Sequence, residues 1–296
     1  MDKLVAIVGP NASGKSSLGV ELALAFGAEI VSADSRQVFR GLDLGSGKIT
    51  LEGMRGVRHH LLDVAEPGEF FSMADFQRLA YRAIDDIIAR GRLPMLVGGT
   101  GLYVESVVKG YELSDKMPDL AYRDELEKLT TPKLYEMLIS KLPDIEIDRK
   151  NRNRVMRVLE KLHDGDDAAP AFSPRYDTLT IGVGWDRETL KKRIDERLTR
   201  RSAEGMIDEV RILRANGVSD EFLLKLGLEY RYITQYLTGE WASEDEMLSE
   251  LSLAIKRFAK RQMTWFKRDK SIKWLDMGGD YLSEAGTAIA DFLSKG

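Results

Sequence analysis

Val5-Ala6-Ile7-Val8-Gly9-Pro10-Asn11-Ala12-Ser13-Gly14-Lys15-Ser16 is an apolar, β-branched run that breaks into the spacing G-x-x-x-x-G-K-S. A helical pattern from Ser17 to Phe26 follows. Strand, glycine loop and helix in that order give the phosphate-loop pattern its mechanism. Gly9 and Gly14 let the backbone turn tightly and aim its N–H groups inward, and the positive end of the helix faces the same point. The whole loop, Gly9, Pro10, Asn11, Ala12, Ser13, Gly14, Lys15 and Ser16, is therefore expected to cradle the phosphates of a ligand. Lys15 would neutralise the terminal phosphates, and the Ser16 hydroxyl would ligate Mg²⁺. The loop leaves open which phosphate compound it holds.

Beyond the first helix, Ala28 to Asp34 reads as a second strand that ends in a carboxylate. In an open α/β sheet the carboxyl ends of strands line the ligand crevice, so Asp34 is expected beside the phosphate loop. A magnesium ligand and a helix cap are the other readings of that residue. Gly45-Ser46-Gly47-Lys48 looks like a second phosphate loop, but Leu42 breaks the spacing. His59-His60 suits chelation poorly, because adjacent side chains on a strand point to opposite faces. Ser72 to Arg90 has helical apolar spacing, with Ser72 as cap and Gly91 as stop. Leu93 to Val97 is a core strand that runs into Gly98-Gly99-Thr100-Gly101 and then a helix. At this second strand–glycine–helix junction Thr100 offers a hydroxyl to a ligand.

From about residue 114 to 176 the strand rhythm stops, and charged helical patterns cover Ala121 to Leu129, Pro132 to Leu142 and Arg152 to His163. Asp164 to Asp167 with two prolines reads as the exit loop. The fold class expected is α/β: a P-loop NTPase-like parallel sheet core, residues 1–113 and 177–296, with a helical insertion domain, 114–176. Thr178 to Gly184 restores a core strand, and Asp186 caps a helix rich in Lys and Arg. The C-terminal third reads as helices over Ile207 to Ala215, Tyr230 to Leu237 and Glu244 to Phe266, then a strand at Ile272 to Leu275 and a helix from Tyr281 to Leu293. The end of the long helix interleaves Lys256, Arg257, Lys260, Arg261, Lys267 and Arg268 with Phe258, Trp265 and Phe266. That pattern suits nucleic acid, or equally a helix C-terminus over a core.

The composition is that of a soluble globular protein, with 43% hydrophobic and 31% charged residues. Its net charge of −4 argues against a wholly basic nucleic-acid binder but allows a local basic face. Zero cysteines exclude disulfides and thiolate zinc sites and fit a reducing compartment. With no leader and no apolar run of the length of a membrane span, a cytoplasmic protein without a membrane partner is expected.

In order along the chain, GPNASGKS, SADSRQVFRGLDLGSGK, HHLLD, LVGGTGLY, NRVMRVLE and AKRQMTW resemble the tRNA dimethylallyltransferases, from about Leu4 to Leu275. The resemblance implies transfer of the dimethylallyl group of dimethylallyl diphosphate to N6 of the adenosine just 3′ of the anticodon, in tRNAs reading codons that begin with U. It places the donor diphosphate, with Mg²⁺, on the phosphate loop. It makes Asp34 the general base, Thr100 the group that holds the adenine, and Lys15 and Arg197 the cations that stabilise the leaving diphosphate. It implies tRNA contacts at Asp34, Ser35, Arg36, Gln37, Thr100, Arg123, Asn153, Arg154, Val155, Met156 and Arg157, with the insertion on the anticodon stem and the chain acting as a monomer. Departures from the family pattern are Asn11 for Thr, Ile49 and Arg58 for Pro, and Gly227-Leu228 for a Gly-Tyr pair that contacts tRNA. The competing readings are an adenylate isopentenyltransferase acting on free AMP, ADP or ATP, a small-molecule P-loop kinase that binds ATP, and a non-catalytic RNA-binding module.

Overall fold

The computed structural model describes residues 1–113, 119–165 and 171–295. In chain order the elements begin with β1 (Lys3–Val8), α1 (Lys15–Phe26), β2 (Glu29–Ala33), α2 (Leu51–Met54), β3 (His59–His60), α3 (Met73–Ala89), β4 (Pro94–Gly98) and α4 (Gly101–Val108). Helices α5 (Leu120–Glu127), α6 (Thr131–Lys141) and α7 (Arg152–His163) follow. The chain continues through β5 (Asp177–Gly184), α8 (Arg187–Ala203), α9 (Met206–Ala215), α10 (Asp220–Leu226), α11 (Leu228–Leu237), α12 (Glu244–Phe266), β6 (Lys273–Asp276) and α13 (Tyr281–Ser294).

The six strands form one sheet in the order β3-β2-β4-β1-β5-β6, and every pairing is parallel. Near-continuous apolar strands are what such a sheet needs, because helices cover both of its faces. Val5, Ile7, Met95 and Val97 face α1 and α13. Leu4, Ala6, Val8 and Leu96 face α3 and α4. Helix α3 starts in a reciprocal capping box between Ser72 and Asp75, and it buries Phe76, Ile84 and Ile87 completely. Each of those burials contributes about 2 kcal/mol. Helices α8 to α12 build a further cluster around Tyr230, Ile233, Met247 and Leu251 that also takes in Val38, Phe39 and Leu42.

Parallel register brings three carboxyl ends together: Val8 of β1 lies beside Gly98 of β4, and Gly98 beside Ala33 of β2. The chain continues from these ends into the phosphate loop, the Gly98–Gly101 loop and Asp34. A Cβ on Gly98 would lie 2.1 Å from the Ala33 carbonyl oxygen, so only glycine lets these strands approach as they do.

Residues 111–173 form a separate compact unit. Its core is Leu126, Leu134, Leu138, Val155, Met156 and Leu159 from α5, α6 and α7. The Arg152 guanidinium donates to the carbonyls of Leu126, Glu127 and Leu129, which caps the end of α5. Its two ends meet where Tyr111 bridges to Phe172 and the Glu112 N–H donates to the Ala171 carbonyl (2.9 Å). Asp166 and Asp167, expected in the exit loop, lie outside the described residues.

The expected elements differ from the observed ones mainly at short pieces. Helix α10, the single turn α2 and the two-residue strand β3 carry too little periodicity to be read.

Candidate active site

The phosphate loop leaves β1 at Gly9, where a Cβ would lie 2.7 Å from the Val183 carbonyl oxygen. It turns through two left-handed residues, Ala12 (φ 62°) and Gly14 (φ 96°), before α1 begins at Lys15. Its outer side is held from β5 and α8: the Trp185 Nε1–H donates to the Ser13 carbonyl (2.9 Å) and the Arg193 Nε–H to the Ala12 carbonyl (2.9 Å). The Ser13 hydroxyl is fully buried and has no hydrogen-bond partner. An orphan of that kind inside a phosphate loop calls for an acceptor or donor from a ligand. Lys15 Nζ donates to the Pro10 carbonyl (3.2 Å). Burial, and then the charge of Arg197, lower its pKa to about 8.

Asp34 lines the same cleft as Asn11, Ala12, Lys15 and Ser16. Burial opposes its ionisation, but the Arg36 guanidinium (3.6 Å), the Arg36 N–H (2.9 Å) and Lys15 hold it below the ordinary aspartate value. It is therefore a carboxylate at neutral pH, able to accept a proton. Thr100 sits next to it: its Oγ1 accepts the Ser35 N–H (3.1 Å), which ties the β4 loop to the β2 loop. Arg36 pairs with the buried Glu229 (2.8 Å), and Arg201 approaches that carboxylate from the other side (3.7 Å). The missing Cβ of Gly227 leaves room for the Arg36 stem, which a methyl group would meet at 2.8 Å. Arg197 reaches the Gly47 carbonyl (3.4 Å). Lys15, Arg36, Arg197 and Arg201 thus line the cleft against only Asp34 and Glu229, an excess of two positive charges. Ile30, Ile49, Val97, Ile194, Leu198 and Ile255 supply apolar wall.

The fold brings Lys15, Ser16, Asp34, Arg36, Gln37 and Arg197 into one cleft. Ser46 and Gly47 form part of its wall, and Lys48 faces away to pair with Asp43 (2.7 Å) and Asp63 (2.5 Å). The Glu209 carboxylate holds the 43–45 turn by accepting three backbone N–H groups, from Asp43, Leu44 and Gly45. His60 pairs with Glu29 (2.8 Å), and the His59 Nδ1 contacts the Val57 carbonyl (2.9 Å). Among the described residues no group of three His, Asp or Glu could hold a metal by itself. Ser16 is exposed at the cleft.

Within the separate unit, Asn153, Arg154 and Arg157 are exposed, and Arg123 and Arg157 flank the buried Glu160 (3.2 Å each). Val155 and Met156 do not share that surface; their side chains are in the unit's own core. On α12, Phe266 is buried and Arg261 lies over Phe258, while Arg268, just beyond the helix, lies over Trp265. Sequence reading named Arg193 and Arg201 only as members of a basic helix, and it gave no role to Glu229 or Gln262. For Glu229 the readable signal is an acid adjoining the buried Tyr230 and Ile233; for Gln262 it is a polar residue between the buried Ala259 and Phe266.

An all-parallel sheet with a phosphate loop after its first strand and a carboxylate facing that loop defines a P-loop enzyme with an anion cradle. The model of the IPP transferase family matches residues 37–269. The chain is 44% identical to tRNA dimethylallyltransferase 2 of Pelobacter propionicus, over 97% of this chain and 94% of that protein. It is 41% identical to tRNA dimethylallyltransferase 1 of Geotalea uraniireducens, over 95% of each. The crystal structure of the full-length tRNA isopentenylpyrophosphate transferase of Bacillus halodurans superposes with a TM-score of 0.77 at 38% identity, over 100% of this chain and 98% of that one. The chain belongs to the IPP transferase family of tRNA dimethylallyltransferases.

Proposed function

We propose that this chain transfers the dimethylallyl group of dimethylallyl diphosphate to N6 of the adenosine 3′ of the anticodon in tRNA. One observation carries the reading: a single cleft holds an orphan-bearing phosphate loop with excess positive charge and, facing it, an ionised carboxylate. The bond between allylic C1 and the diphosphate oxygen breaks, and a C1–N6 bond forms. The proton leaves N6 for Asp34, and the diphosphate stays on Lys15, the Ser13 hydroxyl and the loop amides. The exocyclic amine is a weak nucleophile, so a base is needed as the new bond develops. Lys15, Arg197 and Arg201 offset the charge that builds on the leaving oxygen. The Ser16 hydroxyl would help hold Mg²⁺, which would supply further charge neutralisation when bound. Thr100 and Asp34 hold the adenine once it has left its stack, at a cost of a few kcal/mol that phosphate contacts offset. Arg123, Arg154 and Arg157 of the separate unit are the basic groups for the stem. Among the described residues no helix is long and apolar enough to cross a membrane.

Near-complete coverage of relatives named for tRNA, including the 111–173 unit, supports tRNA over free adenine nucleotides and over a kinase. The test is incubation with dimethylallyl diphosphate, Mg²⁺ and unmodified tRNA, then nucleoside mass analysis, with AMP and ATP in parallel. The expected product is N6-isopentenyladenosine in tRNA alone. A prenylated free nucleotide, or release of ADP, would overturn the proposal.

A further inference from the structure

Helix α12 touches three walls of the cleft. The Ser252 hydroxyl donates to Asp195 (2.6 Å) and Lys256 pairs with it (2.7 Å), which ties α12 to α8, the helix of Arg193 and Arg197. Further along, the buried side chain of Gln262 spans the site: its Oε1 accepts the Asn11 N–H (2.9 Å) and its Nε2 donates to the Gly99 carbonyl (2.9 Å). Trp265, three residues on and so on the same face, lies against Gly101, where a Cβ would sit 2.4 Å from Nε1.

The two partners of Gln262 belong to the two halves of the reaction. Asn11 is in the diphosphate cradle, and its N–H is committed to Gln262 rather than to a phosphate. Gly99 precedes Thr100, whose hydroxyl holds the backbone next to Asp34. An amide is the side chain of this length that carries an acceptor and a donor at one tip; Glu at pH 7 has only acceptors and Met has no comparable group. Displacement of one reacting group by about 1 Å costs about 10²-fold in rate.

We infer that Gln262 is a positioning residue for prenyl transfer: by bridging Asn11 and Gly99 it sets the gap between the leaving diphosphate and the attacking amine. The inference rests on the prenyl-transfer reading of the cleft. It acts on the rate of transfer rather than on retention of the donor, because the cradle keeps Lys15, the Ser13 hydroxyl and its anchors to Trp185 and Arg193 without it.

Q262M removes both bonds at similar volume; Q262E keeps an acceptor for the Asn11 N–H, loses the donor to Gly99 and adds a negative charge beside the cradle. For each, thermal unfolding, calorimetric binding of dimethylallyl diphosphate with Mg²⁺, and the single-turnover rate at saturating donor and tRNA are measured against the wild-type chain. The expected result for Q262M is a rate lowered about 10²-fold with donor affinity within about fivefold of wild type and a folded protein. Q262E should lose at least tenfold. Either folded variant transferring within threefold of wild type would overturn the inference. So would a loss of donor affinity in Q262M as large as its loss of rate, or failure of both variants to fold, since each makes Gln262 a structural residue only. A wild-type chain that does not prenylate tRNA removes the reading of the site itself and this inference with it. An active wild type matched by Q262M removes this inference alone.

Discussion

Replacing Asp34 by Asn tests the chemistry most directly, because it changes charge and proton affinity but little else. The Asn oxygen can still accept the Arg36 N–H, now at 2.9 Å, so the 34–37 turn should stay in place. The cleft's excess of two positive charges becomes three, so the diphosphate should bind as well as before or more tightly. Loss of a positioned general base lowers a rate by about 10²–10⁴-fold, equivalent to roughly 3–5 kcal/mol of barrier. The assay is single-turnover transfer with saturating donor and tRNA, read as N6-isopentenyladenosine by mass, beside calorimetric binding of the donor. The expected outcome is a loss of kcat in that range at unchanged or improved donor affinity. D34N working within tenfold of wild type would refute the role of base. A drop in donor affinity as large as the drop in rate would show that Asp34 serves only to hold the site together. The pH profile gives a second check: with the carboxyl of the free chain held below its ordinary value by Arg36 and Lys15, the acid limb of wild-type kcat/KM should lie below the usual aspartate range.

Lys15 titrates near pH 8 in the ligand-free chain, so above that pH diphosphate binding should take up a proton; calorimetry at pH 9 in buffers of different ionisation enthalpy measures it, and zero uptake refutes the assignment. Gly98→Ala should cost at least about 3 kcal/mol or abolish soluble expression, since its Cβ would meet the Ala33 carbonyl oxygen; a urea midpoint like wild type would contradict the strand spacing. The Arg90 guanidinium, against the opposing effect of burial, and then His60 hold Glu29 down at about 2, well below its ordinary 4.5. Its pairing therefore stabilises the fold fully above pH 4.5 and is lost as pH falls through 2. E29Q should cost roughly 2 kcal/mol at pH 7, after allowing for the partial exposure of Arg90, and the difference should shrink towards pH 2 in urea titrations. Arg154→Ala should weaken tRNA binding and reduce the salt slope by about 0.7–0.9; an unchanged slope removes Arg154 from the phosphate contacts.

The local part of this protein was legible in its residues. Strand–loop–helix at Gly9 to Ser16, the Ser72 cap with Asp75 three residues on, the Asp186 cap and the helical period of α12 all depend on neighbours within a few positions. The position of Asp34 beside the loop followed from one general property of parallel sheets. Tertiary structure alone decided what depends on distant partners: Arg36 buried on Glu229, Arg201 closing that network, Val155 and Met156 turned into their unit's core, and Gln262 joining Asn11 to Gly99. The physical reason is that a cap or a period is a property of one segment, whereas a buried hydrogen bond between residues 251 positions apart exists only once packing has excluded water from both ends.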